Sequence, residues 1–214
     1  MNDAHDILLF WFGERAASAA ELQRKFQRWY VANPDLDREI IERFASDVER
    51  ALAGELAGWR ADPRASLAII LLLDQFARTV FRGQGRAFAG DAVAQELALE
   101  IFDRGLDRAF SLEERLFLIM PLLHAEDPGL QERVAQLCHA LVAEAPAELR
   151  SIFGMAVEQS DKYGEIIARF GRFPFRNEAL GRASTEAELE FLRDWKARQH
   201  PTGMHDKKPA DEQK

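Results

Sequence analysis

Cysteine is nearly absent: one residue, Cys138, in 214. A disulfide framework is thereby excluded, and a reducing compartment is the simplest reading. Cys138 lies in the apolar stretch VAQLCHALV with no Lys or Arg within a helical turn, so it reads as core filling rather than as a reactive thiolate. Long apolar runs are missing too. The longest is residues 67–73, far short of the roughly 20 residues a membrane helix needs. Asp3 and Asp6 precede the first short apolar run, where a secretory leader would carry positive charge, so a cytoplasmic protein is expected. Positive charge is in short supply overall, with 28 Lys and Arg against 36 Asp and Glu, a net charge of −8. Nucleic acid and anionic membrane surfaces are therefore poor partners, although a local basic patch is not excluded. Phosphate-loop, dinucleotide-binding, zinc-finger and nucleophile-elbow patterns are also lacking, and Gly83-Gln84-Gly85 reads only as a turn. No cofactor is expected. Histidine is scarce at five residues, two of them in or beside the C-terminal tail, and His124-x-Glu126 has no third ligand at a diagnostic spacing, so no metal is expected.

Runs of alternating residues between hairpin turns are absent, whereas apolar residues recur at helical spacing almost throughout. The expected class is all-α, with a single domain over residues 1–199 and a disordered polar tail over 200–214. Helices are expected over residues 3–12 (stopped by Gly13), 19–31, 35–59, 63–81, 91–103, from Ser111 through LFLIMPLL, 130–144, 147–170 and 185–197. Ser111/Glu114 and Thr185/Glu188 have capping-box spacing. The segment 63–81 is apolar nearly all round, which marks it as the central, most buried helix. Pro121 is expected to kink its helix. The Phe10-Trp11-Phe12 run suits either the core or a contact with a second copy, so a homo-oligomer is admitted.

Three charged clusters interrupt this greasy background. On the central helix Asp74, Arg78 and Arg82 fall at i, i+4 and i+8, on one strip about 12 Å long. Charges in such a place must be ion-paired, hydrogen-bonded or facing a wet cavity; the bland alternative is a structural pair plus a solvated helix end. In PLLHAEDPGLQ, His124 stands beside Glu126 and Asp127. A nearby carboxylate favours the imidazolium, which suits a proton donor or acceptor, while the plainer reading is a histidine satisfying helix-end carbonyls. In RFGRFPFRNEALGR, Pro174 keeps Phe173 out of the helical region, which fixes a rigid corner carrying Arg172, Arg176 and Arg182. Their planar forks match carboxylate or phosphate, and Asn177 adds a neutral donor and acceptor. The competing reading has them clamp helix ends and acids elsewhere in the chain.

At these clusters the sequence resembles the bacterial domain-of-unknown-function family 924. The resemblance is carried by FWFG at 10–13, LLLDQFARTVFRG at 71–83, FAGD ending at Asp91, PLLHAED at 121–127, and RFGRFPFRN with LGRAST ending at Thr185. It implies a tetratricopeptide-like helical fold and convergence of the clusters, and it supplies no activity. Phe175 and Tyr163 stand where the family usually has histidine; any proton-transfer or metal role of those histidines is lost or replaced here.

Two functions follow as expectations. The first is a pocket in which Arg78, Arg82, Arg172, Arg176, Asn177 and Arg182 bind a small phosphate- or carboxylate-bearing ligand and Asp74 orients an arginine. His124 and Glu126 then supply acid–base capacity for hydrolysis or transfer. The second is a noncatalytic module whose arginines grip an acidic peptide along a groove.

Overall fold

The computed structural model describes residues 2–14 and 18–198 and, among them, nine helices and no strand. α1 (Ala4–Phe12) begins at a capping box between Asp3 and Asp6 and ends at Gly13. α2 (Ala19–Tyr30) is capped by Ser18, and α3 (Pro34–Leu52) by Asn33, with Pro34 in its first turn. α3 is shorter than its periodicity predicts. Gly54, at φ 77°, turns the chain out of the helix, and residues 57–61 form a separate 3-10 turn. Within α3, Leu36, Ile40, Phe44, Val48 and Ala51 are buried along one face.

α4 (residues 63–80) is the central helix. It is α-helical over Pro63–Ile70, widens to a π turn over Leu71–Phe76 and returns to α over Ala77–Val80. Leu67, Ile70, Leu71 and Leu72 are wholly buried, each stabilising the fold by about 1.5–3 kcal/mol. α1, α3, α5 (Asp91–Asp103) and α6 (Leu112–Leu123) pack around it. Ser111 and Glu114 form the expected capping box, and Pro121 lies inside α6, two residues before its end. α7 (Pro128–Glu144) and α8 (Arg150–Phe170) pack most extensively on each other, and α9 (Glu186–Arg198) begins at the Thr185/Glu188 box.

One contiguous apolar core runs through the described residues. Phe10, Trp11 and Phe12 belong to it rather than to an exposed face. Trp11, Phe12, Trp29 and Phe117 meet largely edge to face, and the Trp29 indole N–H donates to Trp11 O at 3.1 Å. Among the described residues no helix is long and apolar enough to cross a membrane. The expected disordered tail, 200–214, lies outside the described residues.

Candidate functional site

The π turn sets the site. Ala77 N–H donates to Leu72 O, five residues back, and the extra residue advances everything downstream by about 100° around the axis. Asp74 sits in this turn, fully buried. Its Oδ1 contacts His124 Nδ1 at 2.7 Å and Arg78 Nη2 at 3.4 Å, and its Oδ2 accepts from Gln75 Nε2 at 2.6 Å. Burial alone would push this carboxyl up. The charge and hydrogen bond of His124, the Arg78 charge and the Gln75 amide outweigh burial and hold it well below the usual carboxylate range.

His124 is the residue at which α6 ends, and its backbone N–H still bonds to Met120 O. Gln131 of α7 fixes the chain on either side of it, donating to Leu123 O at 2.9 Å and Ala125 O at 2.8 Å. With a hydrogen bond from Nδ1–H to the Asp74 carboxylate, Nε2 becomes the basic nitrogen of the ring.

Arg78 is shared between carboxylates. Besides Asp74 it reaches Asp91 Oδ1 at 2.6 Å and donates to Ala87 O. Asp91 opens α5, and Gly90 before it permits a close approach: a Cβ there would lie 2.8 Å from the Leu73 side chain. Burial, reinforced by the Asp74 charge, raises the Asp91 carboxyl despite Arg78 and Arg176. Arg176 Nη1 approaches Asp91 Oδ2 at 3.4 Å. Burial and the Arg78 charge lower the Arg176 guanidinium, which remains a cation at neutral pH. The Phe88 ring lies under both guanidinium groups, 4.5 Å from Arg78 and 4.8 Å from Arg176.

These groups edge a small cavity of about 40 Å³, lined by Arg78, His124, Tyr163, Phe88, Phe175 and Arg176 together with Gly83 and Ala87. That is room for on the order of three waters, or for the head of one small anion. Tyr163, Phe173, Phe175 and Trp195 stack in sequence behind it. Arg176 is 6% exposed, yet its Nε has no hydrogen-bond partner.

Four of the residues expected at the site therefore meet: Asp74, Arg78, His124 and Arg176. The others are engaged elsewhere. α4 ends at Val80, so Arg82 does not extend the strip and instead pairs with Asp37 of α3 at 2.9 Å. Arg172 holds Glu188 at 2.6 and 2.8 Å and Ala183 O at 2.9 Å. Arg182 grips Glu126 with two hydrogen bonds, 2.6 and 2.9 Å, and also donates to Phe173 O. Glu126 accepts the Phe173 N–H at 2.8 Å as well. It thus ties down the corner that carries Arg176; burial alone would raise its carboxyl, but these donors hold it below its usual range. Asn177 is buried, donates to Ser184 Oγ at 3.0 Å and leaves its Oδ1 unpartnered.

Sequence reasoning missed Asp91 and Gln75 as members of the site. Asp91 reads locally as a favourable acid in a first helical turn, and nothing in the string shows that it faces Arg78. Tyr163 and Phe175, the two positions at which the family resemblance leads one to expect histidine, both line the cavity beside His124. Among the described residues no three His, Cys, Asp or Glu side chains converge as a metal site requires.

The sequence model of a bacterial family described as a protein of unknown function, DUF924, matches residues 7–195. No curated protein matches the chain. A solved structure of a protein of unknown function from Agrobacterium tumefaciens is similar, with 32% sequence identity and a TM-score of 0.71, covering 89% of this chain and 97% of its own.

Proposed function

The chain belongs to the bacterial DUF924 family, whose activity is unknown, and we propose that its buried cavity binds the phosphate or carboxylate head of a small anionic molecule. One observation carries this reading. A buried guanidinium, Arg176, whose Nε has no hydrogen-bond partner, lines a small cavity together with Arg78 and His124. A buried donor without an acceptor is costly, and a small oxyanion supplies acceptors for the guanidinium groups of Arg176 and Arg78. The charges of the two arginines and the two carboxylates balance, so an entering anion meets no excess of negative charge.

The same geometry suits hydrolysis or group transfer at a phosphoryl or carboxyl centre. His124 Nε2 is placed to accept a proton from water, Asp74 fixes the ring, and the arginines stabilise negative charge developing on oxygen. Glu126 acts through the corner it holds. A cavity of this size favours a small-molecule head over a peptide groove.

Thermal unfolding with inorganic phosphate tests the reading, on wild type, Arg176→Gln and Arg82→Gln at matched ionic strength. At a hundred times Kd, bound phosphate stabilises by about 2.7 kcal/mol, a rise in Tm of roughly 5–10 °C. Wild type and Arg82→Gln should show it, and Arg176→Gln should not. Equal responses in all three proteins, or none in folded wild type, would remove the anion site and direct the search to acidic peptides.

A further inference from the structure

A second cavity, of about 270 Å³, opens between α7 and α8 and is lined by Gln131, Glu132, Ala135, Ser160, Asp161 and Gly164. Two of its polar side chains are buried and incompletely partnered. Gln131 is 4% exposed and its Oε1 has no hydrogen bond; Ser160 is 2% exposed and its Oγ has none. A serine inside a helix ordinarily satisfies its hydroxyl on a carbonyl one turn back, and Ser160 does not. The Gln131 amide nitrogen is already committed to Leu123 O and Ala125 O, so only its acceptor is left without a partner.

The charged groups at the wall are carboxylates. Neither Glu132 nor Asp161 has an ion-pair partner among the described residues. The basic residues adjacent in sequence are turned away, Arg133 to Asp103 and Lys162 over the Trp195 ring. The negative field is felt behind the wall, where burial and then the Asp161 carboxylate push the Cys138 thiol up to about 12. The residues lining the cavity thus bring together two carboxylates, an unpartnered amide oxygen and an unpartnered hydroxyl, and no cationic side chain. Its complement is a ligand that carries positive charge and donates several hydrogen bonds.

We propose that the α7–α8 cavity is a binding site for a small organic cation of the ammonium or guanidinium class, distinct from the oxyanion cavity. Asp161 and Glu132 neutralise the charge, and Gln131 Oε1 and Ser160 Oγ accept its N–H groups. The Gln131 amide nitrogen also holds the backbone on both sides of His124, which lines the oxyanion cavity.

The test uses the full chain and two probes of one shape, methylguanidinium and neutral methylurea, titrated at constant ionic strength and followed by ¹H–¹⁵N NMR. Methylguanidinium should produce saturable shifts centred on the Gln131 side-chain amide and the Ser160 and Gly164 backbone amides, with Kd on the order of 1 mM for so few atoms. Methylurea should bind about tenfold more weakly or worse, and Asp161→Asn should weaken methylguanidinium by a similar factor. A Cβ at Gly164 meets no atom within 4 Å, so Gly164→Leu should fold, fill the cavity and abolish the shifts. If that variant does not fold, Asp161→Asn decides alone. Ser160→Ala should leave the ligand-free Tm unchanged or raised, because it deletes a hydroxyl without a partner. No saturable shift at tens of millimolar, equal binding of methylurea, or indifference to Asp161→Asn overturns the proposal.

Discussion

Asp74→Asn changes one heavy atom of a buried side chain and removes its charge. In the wild type both carboxylate oxygens accept, Oδ1 from His124 and Oδ2 from Gln75, while Arg78 lies 3.4 Å from Oδ1. An amide keeps one acceptor, so one buried donor is stranded unless Gln75 turns its own carbonyl inward. Stranding it costs about 1–3 kcal/mol, and breaking a buried ion pair about 3–5 kcal/mol. Arg78 limits the damage, because it retains Asp91 at 2.6 Å and Ala87 O. A loss of about 3 kcal/mol at pH 7 follows, or roughly 6–12 °C in Tm for a chain of this length. Its pH dependence is the sharper check. The folded Asp74 carboxyl lies below its unfolded value of about 3.9, so the unfolded chain binds more protons in between and the wild type gains stability as pH rises. That contribution is complete above about pH 5 and is lost as pH falls toward the depressed folded value. Asparagine has no such contribution. Urea denaturation of both proteins should therefore give a stability gap that narrows by about 1 kcal/mol per unit as pH falls below about pH 4. Asp91, raised in the fold, has the opposite dependence: its contribution is present at low pH and falls away as pH rises through its folded value. It is present in both proteins and largely cancels in the comparison. An unchanged Tm, or a gap that does not vary with pH, would refute the assignment of Asp74 as an ionised, paired carboxylate.

Three further outcomes follow. Gly90→Ala places a Cβ 2.8 Å from Leu73, so α5 must shift and carry Asp91 with it; urea denaturation should show a loss of about 1–3 kcal/mol, and a change under about 0.5 kcal/mol would mean that the approach is not tight. Glu126→Gln should loosen the 173–176 corner and weaken phosphate binding severalfold by calorimetry, since it unlocks Arg182 and the Phe173 N–H; an unchanged affinity would mean that the corner does not position Arg176. Cys138, buried and with its thiol pushed up to about 12, should react with an aromatic disulfide at pH 8 at least about a hundredfold more slowly in the native chain than in urea. Equal rates would place it at the surface.

Much of the scaffold was legible in the sequence because it depends on neighbours a few residues apart. The capping boxes at Ser111/Glu114 and Thr185/Glu188, the all-round burial of 63–81 and the Asp74–Arg78 pair at i, i+4 are all local relations. Local hydrogen bonding and helical periodicity suffice to predict them. The end of α3 was misread because its apolar stripe reaches Leu56, which is buried from beyond the turn at Gly54 and not from the helix.

The site divides along the same line. Sequence singled out Asp74, Arg78, His124 and Arg176 by charge in apolar surroundings, where an unpaired ion is costly. It had no means of assigning partners to the remaining arginines. Arg82 goes to Asp37, Arg172 to Glu188 and Arg182 to Glu126, while Asp91 joins the cluster from the start of another helix. Each choice depends on which helices meet and at what height. The π turn at 71–76 adds a rotation that helical spacing does not foresee. Composition and periodicity determined that this chain folds into helices around a buried segment bearing charge. Only the packing of those helices decided which charges face each other and which edge a cavity, because Coulomb and hydrogen-bond energies depend on distance in space and not along the chain.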